Sequence, residues 1–387
     1  MNANSNKTRR HGVALLVVLF IIMAITVLSV GFLSQSDVEL ACGQNMILRT
    51  QMDYLAESGL EHARGLILSP QDIASEYWAG ATAQQLVAGS NDYYDLEVIR
   101  DDSDPTDRCN YFIDCNSYRL KDGEKIGRSS IRAKLRLDPC IAYWAGSSTI
   151  ISQRITVNGD IYCDGNLSGN GYVGGDVFAS GSITGTNITG QKNEAIIEVP
   201  VNWPGLDIND FSLNYYIDSA SYSVEIIEPN ISNVTLGPSG SNPVGIYYCE
   251  DPNKLVSLGG NVIVNGTLVV NGDLTISGTT NVITAIKNYP ALLVSGEVMI
   301  KDGGTLQIKG LAQIGQRIAV SAGAQNMDID GALFIANGSI EGSASSSISI
   351  DITAAPSIAS IQTWPTPGTA RRWRPATGAF FRSIERK

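Results

Sequence analysis

Histidine is almost missing from this chain: 387 residues contain two, His11 and His62. Beyond position 62 no imidazole can act as a general base, which removes Ser-His-Asp and Cys-His mechanisms from most of the sequence. Charge is also scarce, at 17% of residues. No Walker-type loop and no Gly-x-Gly-x-x-Gly loop stands between a strand and a helix, so a nucleotide fold is excluded. The six cysteines do not match common zinc spacings. Low charge combined with 39 glycines gives a turn-rich β composition rather than a disordered one. Long apolar runs are missing too, with one exception.

That exception is Val13 to Leu33, 21 residues without a charge. At about 1.5 Å per residue, a helix of this length covers a ~30 Å hydrocarbon core. Lys7, Arg9 and Arg10 precede it, and the first acids, Asp37 and Glu39, follow it. The positive-inside rule then places residues 1–12 in the cytoplasm and the remainder on the exported side of the inner membrane. A cleaved signal peptide has a shorter apolar region of about 7–15 residues. Here a helical pattern continues through Leu48, Met52, Leu55, Gly59, Ala63 and Leu66 to the stop at Ser69-Pro70. The spacing predicts one helix over 13–68, with one face docked on a globular domain. A signal anchor with a juxtamembrane coiled coil is the plainer alternative.

The junction Arg9-Arg10-His11-Gly12-Val13-Ala14-Leu15-Leu16 resembles the prepilin-peptidase site of type IV pilins and type II secretion pseudopilins. The segment Gly43-Gln-Asn-Met, followed by Ala56-Glu57-Ser58-Gly59-Leu60-Glu61-His62-Ala63, is similar to the N-terminal region of PilX-like minor pilins. The resemblance covers about residues 9–70. It implies cleavage after Gly12, a mature end at Val13 (often N-methylated in this family), and a partner set of prepilin peptidase and other pilin or pseudopilin subunits. Most pilins carry Glu at the fifth mature position, where this chain has Val17. K-type pseudopilins and some PilX-like pilins share that departure. The family's Glu is thought to neutralise a neighbour's buried amine, and a lone buried charge is costly. Val17 therefore implies a minor subunit near the filament tip.

After the helix, 71–85 suggests one or two short helices around Tyr77 and Trp78. Three alternating runs, 93–100, 111–120 and 130–137, read as strands, with Asp122-Gly123 as a hairpin turn. Residues 70–140 are thus expected to form a small pilin-like α/β head.

From Ile151 the pattern changes. Asn158-Gly159, Asp164-Gly165 and Asn170-Gly171 recur every six residues, in step with Ile155, Ile161, Leu167, Val173 and Ala179. The step returns at Gly259-Gly260, Asn265-Gly266, Asn271-Gly272 and Ser277-Gly278, with Leu258, Val264, Val270, Ile276 and Val282. Short strands joined by regular turns wind into a parallel β-solenoid, or β-helix; a β-meander is the alternative. Two solenoid parts are expected, 141–190 and 255–350, separated by an insertion at 191–254 and followed by a basic tail at 351–387. The insertion is rich in Tyr, Trp and Phe, which serve packing or a carbohydrate-binding surface.

Four further residue sets carry candidate chemistry. Asp101, Asp102, Asp104 and Asp107 form an oxygen-rich loop of the kind that suits Ca²⁺, although a solvated turn explains it as well. Cys109–Cys115 and Cys140–Cys163 are plausible disulfides in an oxidising compartment. Asp328 and Asp330 fall on one strand face as i and i+2, the remaining basis for a polysaccharide-acting enzyme. The stretch between leader and tail is acidic, so no specific nucleic-acid partner is predicted from its bulk.

The expected fold is α+β followed by all-β: a transmembrane pilin-type helix, a small head and a parallel β-solenoid. The expected function is a non-enzymatic minor pilin or pseudopilin of a type IV pilus (fimbrium) or type II secretion pseudopilus, with no cofactor. A membrane-anchored surface adhesin with a surface or glycan ligand is the alternative.

Overall fold

The computed structural model describes residues 9–68, 78–101, 103, 110–138, 140–185, 187–197, 208–217, 220–286, 289–342, 347–351 and 378–386. It contains one long helix, a five-stranded antiparallel head and, among the described residues, a parallel solenoid of about nine turns.

Helix α1 runs Arg9–Leu68, 60 residues, about 90 Å at the standard rise. No proline interrupts it. Its side chains are exposed from Ala14 to Ile47. From Leu48 onward one face is covered: Met52, Leu55, Ala56, Leu60, Ala63 and Ile67 are buried against the head. Gly59 lies in this seam because the sheet comes too close for a side chain. A Cβ there would stand 2.5 Å from Cys115 Sγ.

The head sheet has the order β1 (Gly80–Gln84), β2 (Asp92–Arg100), β3 (Asn110–Lys121), β4 (Glu124–Asp138) and β5 (Gly378–Arg386). The expected hairpin forms at Asp122-Gly123, both residues having positive φ, with Lys121 opposite Glu124. Two elements differ from expectation. Gly80–Gln84 is an edge strand rather than helix, because Gly80, at φ +126°, brings its backbone against the Leu96 carbonyl, where no side chain fits. Part of the basic tail is also a strand: β5 pairs antiparallel with β4, Ile384 opposite Ala133. Alternation in Phe381, Ser383 and Glu385 signals it only weakly. The head is therefore closed by the two ends of the chain that flank the solenoid.

Each solenoid turn has three short strands, on faces called a, b and c. In stacking order, coils 1 to 6 are 225–236, 247–264, 268–283, 292–308, 312–329 and 333–350; coils 7 to 9 are 143–157, 161–173 and 177–188. The order in space differs from the order in sequence. The chain enters at coil 7, climbs to coil 9, returns to coil 1 and winds back until coil 6 meets coil 7. Leu333 lies opposite Tyr143 and Ile348 opposite Ile155 at that seam. Part of the expected insertion is therefore solenoid, since 225–236 and 247–250 build coils 1 and 2. Prolines and uneven spacing hide it from a six-residue rule. The predicted inward row is buried, except that Ile283 rather than Val282 points inward. One residue added before coil 3's last strand shifts the register.

Asp160, Asn166 and Asp273 each follow an Asn/Asp-Gly pair, at a corner of the solenoid. A corner carboxylate or amide accepts a hydrogen bond from the backbone of the next coil: Asp160 Oδ1 from Asp176 N (2.8 Å), Asn166 Oδ1 from Ser182 N (2.8 Å), Asp273 Oδ1 from Glu297 N (2.8 Å). The glycine beside that N–H leaves room for the acceptor. A Cβ at Gly296 would stand 2.0 Å from Asp273 Oδ1. These side chains satisfy backbone groups that strand pairing leaves over at the corners.

Candidate functional site

Two kinds of surface are available: the bare half of α1 and the faces of the solenoid. Among the described residues, one helix is long and apolar enough to cross a membrane. Leu15, Phe20, Val27 and Phe32 are all more than half exposed on it, and Gly12 and Val13 lie in its first turns. This apolar rod has no partner among the described residues, a surface suited to lipid or to other helices. The other half of α1 is fixed. Ser117 Oγ donates to Met52 O (2.7 Å), and Ser129 Oγ to Asp53 Oδ1 (2.6 Å). His62 Nδ1 lies 2.9 Å from Tyr94 OH, with Trp78 beside the ring. The His62 imidazole is thus part of the helix–head packing.

On face a the outward residues are large and apolar, and they are covered. Tyr248, Val269 and Leu293 are buried under the segment 208–224, which brings Phe211, Tyr215 and Val224 onto them. Tyr215 OH donates to Asn242 Oδ1 (2.7 Å) and accepts from Val244 N (3.2 Å). Further along, Phe334, Trp144 and Tyr162 stack in successive coils and are buried as well. Phe211, Tyr215, Tyr222, Tyr247 and Tyr248 of the expected insertion therefore pack and do not form an open carbohydrate platform. Trp203 lies outside the described residues.

Faces b and c are open. Face b presents Ser257, Thr275, Met299, Ala319 and Glu341 in line, and Ile150 beside Ser168. Face c presents Gln307, Asp328, Ser349 and Thr156, with Lys309, Asp330 and Asp351 at its corner. Asp328 and Asp330 do share this face. Burial, then the Asp351 charge, raises the Asp328 carboxyl above its ordinary range.

The cysteines depart from both expected pairings. Cys140 is disulfide-bonded, while Cys115 and Cys163 are free; Cys109 lies outside the described residues. Cys115 is buried under α1 and Cys163 inside the solenoid. Burial pushes their thiols up to about 12 and about 11, which makes them inert packing groups. Of the acidic loop, only Asp101 is described. Lys134 Nζ (2.6 Å) and Ser103 Oγ (2.6 Å) occupy its oxygens, and these bonds hold its carboxyl at about 2. Asp101 is thereby committed to an ion pair within the head, and Asp102, Asp104 and Asp107 lie outside the described residues.

A residue with no sequence signal is Asp160, 1% exposed at the joint of head and solenoid. Its Oδ2 accepts from Cys140 N (2.7 Å), its Oδ1 from Asp176 N, and Arg136 of β4 lies 3.9 Å away. Burial raises its carboxyl to about 6, against the pull of both N–H groups and Arg136.

No family model and no curated protein matches the chain. Two solved structures align with it. One is the competence-associated pilin ComZ from Thermus thermophilus, at 10% identity, covering 88% of this chain and 97% of that one, with a TM-score of 0.24. The other is a domain of an ice-binding protein from Shewanella frigidimarina, at 14% identity, covering 55% of this chain and 95% of that one, with a TM-score of 0.27.

Proposed function

We propose that this chain is a minor, tip-proximal subunit of a type IV pilus or type II secretion pseudopilus, and that it displays its solenoid outside the cell. The supporting observation is the division of α1. Its outer half is apolar and bare from Ala14 to Ile47, while a small head grips only the remainder. A plain membrane anchor needs the first 21 apolar residues; it has no use for the further exposed turns between Leu33 and Leu48. A filament subunit uses them to pack against neighbouring helices. Val17 and the bulk of nine coils both suit a place near the end of the filament, where few copies are needed. In this reading prepilin peptidase processes the chain at the inner membrane, the mechanism is assembly rather than catalysis, and faces b and c are the surfaces offered to a surface or glycan ligand.

The test is N-terminal sequencing of the protein from the membrane fraction. A mature end at Val13, N-methylated, is expected. An intact Met1 would overturn the filament reading in favour of a membrane-anchored adhesin.

A further inference from the structure

One end of the solenoid is closed and the other is open. Beyond coil 9 the chain adds a partial turn, in which Lys192 and Asn193 pair with Val177 and Phe178. Ala195 N and Ile196 N donate to Gly181 O and Ala179 O (both 3.1 Å), and the Glu194 carboxylate accepts the Ile183 N–H (2.6 Å). Coil 1 has no such cover. Its strands, Glu225–Ile227 and Asn230–Leu236, pair with coil 2 on one side and, among the described residues, with no strand on the other. An edge of this kind presents a row of unpaired N–H and C=O groups, and Asn230–Leu236 holds neither charge nor proline to blunt it. The inward side chains Ile227, Val234 and Leu236 are half-buried, whereas Cys249, Val262 and Val264 beneath them in coil 2 are fully buried. On the outer side Ile226 and Leu213 form an exposed apolar rim. Two acids stand at the same end. Glu225 is at an inward position, opposite Tyr247, and Glu228 is at the corner between the two strands; both are exposed. Among the described residues neither has a cation within ion-pair distance. Burial and then the Glu225 charge raise the Tyr247 phenol, and burial, Asp251 and Glu228 push the Cys249 thiol up to about 11.

We propose that the open end of coil 1 binds an extended basic segment of another protein, added as a further strand along Glu225–Leu236. Such a site serves a filament subunit and a membrane-anchored adhesin alike. Strand addition satisfies the bare backbone edge and covers the half-buried end of the core. Charge selects the occupant. A second copy would meet this end through a two-fold axis, with its strands antiparallel. On face a that sets Glu225 of each copy against Ile227 of the other and buries two carboxylates over one apolar core with no cation to pair them. A Lys or Arg above Glu225 instead turns the same carboxylate into an ion pair, and a second above Glu228 does likewise. The other positions call for apolar residues above Ile227, Ile231, Val234 and Leu236, with small polar residues between them.

The experiment titrates the full-length chain in detergent micelles with a fluorescent peptide of about twelve residues, matched to 225–236 in the parallel register of the solenoid. The peptide carries Lys above Glu225 and Glu228, Val above the four inward positions, and Thr or Ser elsewhere. Anisotropy should report binding, and hydrogen exchange should slow across 225–236 while 192–197 at the closed end is unchanged. A peptide with Glu in place of both Lys residues is expected to bind at least tenfold more weakly. In the chain, Glu225→Gln with Glu228→Gln should weaken binding of the Lys peptide about fivefold, the scale of two exposed ion pairs, at an unchanged melting temperature. The comparison of the two peptides on the unaltered chain stands even where that variant is unstable. No binding of the Lys peptide, equal binding of the Lys and Glu peptides, or protection placed elsewhere overturns the proposal. Protection of 225–236 that rises with protein concentration in the absence of peptide assigns the edge to a second copy and overturns it as well.

Discussion

Asp160 concentrates three parts of the molecule on one carboxylate: the N–H of disulfide-bonded Cys140, the N–H of the next coil, and Arg136 of the head. All three partners favour the charged form, yet burial outweighs them and raises the group to about 6 from 3.8. A raised carboxyl binds its proton more tightly in the folded state. Its favourable contribution is full below pH 3.8 and is lost as pH rises through about 6, a change of about 3 kcal/mol at most. Thermal unfolding of the protein between pH 4.5 and 7 should therefore show a decline that Asp160→Asn flattens. The variant should also be less stable throughout, because the two N–H groups bond different oxygens of Asp160 and an amide sets an NH2 donor against one of them. A pH slope identical in the two proteins would show that Asp160 stays ionised. Nothing in the sequence marks Asp160: it is one of several acids near Asn-Gly turns, and its role depends on Arg136 and Cys140 arriving from another domain. Gly59 and Ala63 were legible as part of the docked face of the helix because helical spacing is local. That Gly59 faces the Cys115 thiol was not, since the sheet register that brings them together is set by contacts far apart in sequence.

At the scale of elements, the solenoid was legible because its corners repeat. Asn-Gly and Asp-Gly recur at one step, and that step is one side of a three-sided coil. What the repeat concealed is the residue after each pair: Asp160, Asn166 and Asp273 follow Asn158-Gly159, Asp164-Gly165 and Asn271-Gly272, their side chains cap the next coil, and a glycine of that next coil makes room. Glycines that look alike in sequence should then differ in cost. Gly331, at φ +151°, joins face c to face a in coils 5 and 6, and a Cβ would stand 2.1 Å from the Gly310 carbonyl oxygen. Gly303 also has positive φ, +76°, but nothing lies within 4 Å of its Cβ position. Gly331→Ala should cost about 3 kcal/mol or more, combining strain with displaced backbone, whereas Gly303→Ala should cost about 1 kcal/mol from conformation alone. Denaturant midpoints of the two variants measure the difference, and equal losses would mean that conformation dominates and the stacked corner is soft. The strand pattern failed where this logic is relaxed: coils 1 and 2 have longer sides, an Asp-Pro step at 251–252 and few corner glycines, so they read as an insertion.

For the molecule as a whole, the consequence is a solenoid built from two sequence segments wound toward each other, with both ends returned to one head sheet. Such an arrangement joins coil 6 to coil 7 without a covalent link between them, and the seam must be held by side chains. Faces a and c are paired across it, through Leu333 with Tyr143 and Ile350 with Val157. On face b, among the described residues, no strand pairing joins the two coils, and Tyr143 supplies a contact. Its ring is fully buried in the core, and its hydroxyl accepts the Ile340 N–H (3.0 Å) and lies 3.3 Å from Thr149 Oγ1. Burial raises that phenol well above its ordinary value, so it stays a neutral donor and acceptor across the accessible pH range. Tyr143→Phe keeps the packing and removes the hydroxyl, leaving a buried N–H from one segment and a buried hydroxyl from the other without their partner. The expected loss is about 1–3 kcal/mol. Its distribution is the informative part. A solenoid normally loses stability repeat by repeat from its ends, but here the weakened point is internal and faces two segments that are each unsupported without the other. Hydrogen exchange should therefore speed up in coils 5 and 6 and in coils 7 and 8 together, while coil 1 and the head keep their protection. Faster exchange confined to Ile340 and Thr149 would mean that the two segments stand independently and that the seam is only a contact between them.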